Sequence, residues 1–66
     1  MDASEKGRRY ALIFRKAGTF IGKGENERAI KALREGFKLA QESGDNAMAR
    51  RFSGELERIE KAIKSG

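Results

Sequence analysis

Apolar residues recur along this chain at helical spacing, in three blocks separated by short breaks rich in glycine and polar residues. In the first block Tyr10, Ile13, Phe14, Ala17, Phe20 and Ile21 fall three, one, three, three and one residues apart. Those intervals put them on one face of a helix with 3.6 residues per turn, and the pattern predicts a helix over residues 3–22. Asp2 followed by Glu5 makes a capping pair at its start, because a carboxylate there accepts backbone N–H groups that have no partner within the helix.

The second block sets Ala29, Ile30, Leu33, Gly36, Phe37 and Ala40 on one stripe and predicts a helix over 25–43. Glu25 and Glu27 lie in its first turn, where the helix dipole favours negative charge. Gly44 supplies a left-handed stop to this helix, and Asp45 a cap for the third. The third block carries the plainest pattern in the chain. Met48, Phe52, Leu56, Ile59 and Ile63 form a seam over 46–64, and Arg50, Arg51, Glu57, Arg58, Lys61 and Lys64 cover the other side.

The breaks, 22–24 and 43–45, are short, and short connections make consecutive helices antiparallel. No stretch alternates with the period of a strand. The expected fold is all-α, one domain over 1–66 forming a three-helix up-down-up antiparallel bundle. Its expected core is Ile13, Phe14, Ala17, Phe20, Ile21, Ala29, Ile30, Leu33, Phe37, Phe52, Leu56 and Ile59. Gly18, Gly36 and Gly54 each weaken a helix by up to ~1 kcal/mol relative to Ala, so all three are expected where helices approach closely.

Composition narrows the chemistry. A chain of 66 residues buries only about 60% of the surface its unfolded form exposes, so its core is small. With no Cys and no His, it lacks disulfides, thiolate metal sites and the commonest general base. Apolar and charged residues each make up 38%; the apolar ones are periodic, which favours a folded helical protein over a disordered one. The longest apolar run, Tyr10 to Phe14, is far short of the ~20 residues a membrane span needs. The first fifteen residues hold Asp2, Glu5, Lys6, Arg8 and Arg9 and no long apolar stretch, unlike a secretory signal. A cytoplasmic location is expected.

Ala17, then Phe20, then Gly24, then Ala29 and Ile30 resemble the small, aromatic, glycine and alanine positions at the corner of a tetratricopeptide repeat. Ala32 to Ala40, with Gly36 at the small position, is similar to the second helix of such a repeat, and Leu39 to Asp45 resembles the corner leading into another. The resemblance covers residues 10–45 and implies a helical hairpin with a capping third helix, serving as a binding surface for protein or peptide. The three-helix microtubule-interacting and trafficking domain, which binds short helical peptides in a groove between helices, is similar as well, and the residues leave both resemblances open.

Other motifs carry less. Gly18, Gly22 and Lys23 superficially suggest a phosphate loop, but only three residues separate the glycines and no Ser or Thr follows the lysine, whereas the loop needs four and a hydroxyl. The acids mostly lie near bases on exposed faces, as in Glu57 with Lys61 and Glu60 with Lys64, which supports helix rather than paired-carboxylate catalysis. No enzyme activity, metal or cofactor is expected.

Charge is uneven: residues 1–24 carry six bases against two acids, and residues 25–43 balance. Arg8, Arg15, Lys16 and Lys23 lie on or beside the side of the first helix away from its apolar stripe, with Leu12 among them. Ala32 and Leu39, one heptad apart on the second helix, form a further off-stripe pair, for which core packing, a partner or a second copy of the chain are the alternatives. These seven residues are the candidate partner-binding set. The expected function is a non-enzymatic protein-interaction module that buries an apolar helix face or groove against a partner helix or peptide. One alternative is a small basic nucleic-acid-binding accessory protein using the stripe on the first helix. Another is a self-assembling or engineered minimal repeat without a ligand.

Overall fold

The structure, a computed structural model, describes residues 2–65; the two end residues of the 1–66 span lie outside the described residues. Three helices follow in order, α1 (Ala3–Gly22), α2 (Asn26–Glu42) and α3 (Asn46–Ser65). The fold is all-α and up-down-up. α1 occupies the span its pattern defines; α2 is one residue shorter at each end, and α3 runs one residue further.

Each start and stop has a local cause. Asp2 caps α1, its Oδ1 accepting from the Glu5 N–H at 2.8 Å. The two corners share one construction. Gly24 and Gly44 have φ of 77° and 68°, the left-handed conformation that glycine adopts without a Cβ clash. At the first corner the Gly24 N–H donates to Ile21 O and the Glu25 N–H to Phe20 O; at the second, Gly44 donates to Gln41 O and Asp45 to Ala40 O. These paired bonds are the Schellman arrangement, and they satisfy the last carbonyls of α1 and α2. Gly-Glu-Asn at 24–26 and Gly-Asp-Asn at 44–46 thus build the same turn twice.

α2 is the central element: it touches both neighbours, whereas no Cα of α1 lies within 8 Å of one in α3. Tyr10, Ala17, Ala29, Leu33, Ala40, Phe52 and Ile59 form the buried core, with Ile13, Phe14, Phe20, Ile30, Phe37, Leu39, Met48 and Leu56 among those packed partly buried against it. Its centre is Phe52, fully enclosed. Phe52 reaches past α2 to α1, where its ring stacks on Phe14 at 4.5 Å and 5° and meets Tyr10 tilted at 5.7 Å. Gly36 makes room for it, since a Cβ there would overlap the Phe52 ring. Fully burying such a side chain stabilises by ~1.5–3 kcal/mol, and each aromatic pair adds about 0.5–1.5 kcal/mol.

Three expectations about packing are corrected. Ile21, expected in the core, is 43% exposed, and Ile63, expected on the α3 seam, is 47% exposed. Ile21 sits in the last turn of α1, where α1 and α3 stand apart. Ile63 lies beside residues 24–28, where α2 has only begun and offers no further turn to cover it. Close packing explains Gly36 alone, because a Cβ at Gly18 or Gly54 would meet nothing within 4 Å.

Candidate functional site

Because α1 and α3 touch through side chains alone, two separate shallow depressions open along their junction, one toward each end of the furrow between the helices. At one end it is lined by Gly7, Tyr10, Ala11 and Phe14 from α1 and by Met48 and Arg51 from α3. At the other it is lined by Ile21, Asn26, Glu55, Arg58, Ile59 and Ala62. The α1 wall has a regular basis. Gly7, Ala11, Phe14, Gly18 and Ile21 are spaced four, three, four and three, the interval that keeps residues on one seam of a helix. Small side chains on that seam leave the furrow shallow and its floor reachable.

The polar groups are few and uneven in their pairing. Arg58 Nη1 donates to Glu55 Oε1 at 3.1 Å. The Arg51 guanidinium lies 5.1 Å from the centre of the Phe14 ring, a cation–π placement worth about 0.5–1 kcal/mol on an exposed site. It has no carboxylate within ion-pair distance among the described residues. Beside it, Tyr10 is 6% exposed, and its hydroxyl oxygen is buried with no hydrogen-bond partner among the described residues. Leaving such a group unsatisfied costs about 1–3 kcal/mol, so the sequence tolerates a penalty at this end of the furrow.

The seven residues singled out from sequence do not come together as one patch. Arg8, Leu12, Arg15 and Lys23 are exposed on α1 and its C-cap, with Leu12 at 54%. By helical phase Leu12 points away from the furrow, while Arg8 and Arg15 flank the seam on its outer side. Lys16 lies over the opposite α1–α2 junction, in a shallow depression with Phe20, Arg28, Lys31, Ala32 and Glu35. Ala32 is buried and Leu39 half-buried against the core. Sequence reading did not single out the furrow residues Ile21, Arg51 and Tyr10 as a site. The signal available was the second seam on α1, lying between the core stripe and the Arg8 and Arg15 side of the helix and partly hidden because two of its members are glycine.

Among the described residues, no helix is long and apolar enough to cross a membrane. No protein-family model, curated protein or solved structure matches the chain.

Proposed function

We propose that this protein is a non-enzymatic protein-interaction module of the tetratricopeptide-like type, whose α1–α3 furrow receives a helix or peptide from a partner. The observation carrying this reading is the separation of α1 from α3, which leaves Ile21, Ala11 and Ala62 on an open surface over Ile59 and Phe14. The accessible surface, 4899 Å², exceeds the roughly 4,200 Å² of a compact monomer of this mass, as an open arrangement requires. A ridge of apolar side chains laid along the furrow would be covered on two sides, and helix-in-groove recognition works in this way.

The test is titration with a neutral amphipathic helical peptide, followed through backbone amide shifts. Shifts are expected at Ala11, Gly18, Ile21, Met48 and Ala62, with Lys31 and Leu12 unmoved. Shifts confined to the Leu12 face, or none at saturating peptide, would sink the reading.

A further inference from the structure

The geometry points to an acidic amphipathic helix as the occupant of the furrow, with one of its carboxylates held between Arg51 and the Tyr10 hydroxyl. This inference rests on the interaction-module reading and adds the chemistry of the partner to it. Two residues that line one end of the furrow carry unfilled hydrogen-bonding groups: among the described residues, the Arg51 guanidinium has no ion pair and the buried Tyr10 phenol has no partner. Both can donate. A carboxylate is acceptor-only and has two oxygens, so it is the side chain that two donors lining the same end of the furrow call for. The cation–π placement over Phe14 restrains the Arg51 side chain, which lowers the ordering cost of the contact.

Charge along the walls favours the same sign of partner. Arg8 and Arg15 flank the α1 seam, and Arg51 and Arg58 line the α3 side. Glu55 is the acid among the furrow's lining residues, and Arg58 already engages it. The chain as a whole carries a net charge of +5, which opposes a second copy of itself as occupant. The apolar floor separates this partner from a nucleic acid: Ile21, Ile59 and Ala62 need an apolar ridge opposite them, and a phosphate backbone has none. Reaching the Tyr10 oxygen requires a side chain over that end to swing aside. Met48, unbranched and flexible, lines the same end and is able to do so.

The experiment uses synthetic helical peptides of about eighteen residues, ~27 Å long and so longer than the ~21 Å of α1 between Gly7 and Ile21. One has a leucine ridge flanked by Glu, and its twin has Gln in place of each Glu. Binding is read by fluorescence anisotropy at low and high salt. The acidic peptide is expected to bind at least about tenfold tighter, the scale of a charge-assisted hydrogen bond, with the advantage shrinking as salt rises. Arg51→Gln is expected to remove most of that advantage, with circular dichroism confirming intact helices. Tyr10→Phe should melt higher than the parent, having lost its orphan hydroxyl, and yet bind the acidic peptide more weakly. Equal binding of the twins would overturn the acidic preference while leaving the module reading in place. Binding of neither would end both. A Tyr10→Phe variant with unchanged affinity would overturn the assignment of Tyr10, and displacement of the acidic peptide by duplex DNA would overturn the choice of partner.

Discussion

At the scale of single residues, three helical glycines divide by what surrounds them. Gly36 faces the ring of Phe52, itself fully enclosed, so an added methyl must displace a side chain that has nowhere to go. Gly36→Ala is expected to destabilise by about 1–3 kcal/mol, overpacking outweighing the gain in helix propensity. Gly18→Ala and Gly54→Ala should do the opposite, each stabilising by up to about 1 kcal/mol, because their Cβ positions are open. Urea denaturation of the three variants checks the sign of each change. The contrast also marks a limit of legibility. Sequence periodicity puts Gly36 on the buried stripe and Gly18 beside one, but whether a glycine accommodates a neighbour depends on which side chain arrives from another helix. Phe52 is sixteen residues from Gly36, and no local pattern links them. The Tyr10 hydroxyl was hidden for the same reason: tyrosine on an apolar stripe is visible in sequence, and an orphaned oxygen is a property of what packs around it.

Among the elements, the corners were the most legible, since left-handed glycines and caps act within a few residues. Gly44 and Asp45 do what their types dictate, and the Asp45 carboxylate accepts from the Met48 N–H at 3.1 Å. The first corner uses the same turn with a longer acid. Glu25 makes no side-chain capping bond and instead pairs with Arg28 at 3.5 Å across an exposed surface. Asp45→Ala is therefore expected to cost about 1 kcal/mol. Glu25→Asp is expected to gain about 0.5–1 kcal/mol by creating the missing cap, against a few tenths lost from an exposed ion pair. Thermal melts of both variants test this pairing, and a Glu25→Asp variant less stable than the parent would show that the α2 start cannot accept a cap. The helix ends were readable to within a residue, but the way the helices lean on one another was not. Antiparallel order comes from short loops, whereas the gap between α1 and α3 is a tertiary fact.

For the molecule as a whole, that gap decides which apolar residues matter for folding and which are free for contact. Ile59, 7% exposed, and Ile63, 47% exposed, sit four residues apart on the same seam of α3. Ile59→Ala is expected to cost about 2–5 kcal/mol, a large share of the stability of so small a domain. Ile63→Lys should stay within about 0.5 kcal/mol of the parent. If both variants prove equally damaging in denaturant titrations, α3 is covered along its whole length in solution. Solution mass across a hundredfold dilution complements this, and a monomer throughout is expected of a furrow kept for a foreign partner.

The aromatic contacts between α1 and α3 lie at Tyr10, Phe14 and Phe52, in the first half of α3 and away from the end of α1. Mechanically, the two outer helices resemble a pair of tongs riveted off-centre through α2. Bending of α1 is resisted at the rivet and again beside Ile21, where the Gly24 corner ties it to α2, so movement is cheaper on α3, toward Ala62. A bulky side chain on an incoming ridge is then accommodated by α3 near Ala62, while the riveted end fixes register.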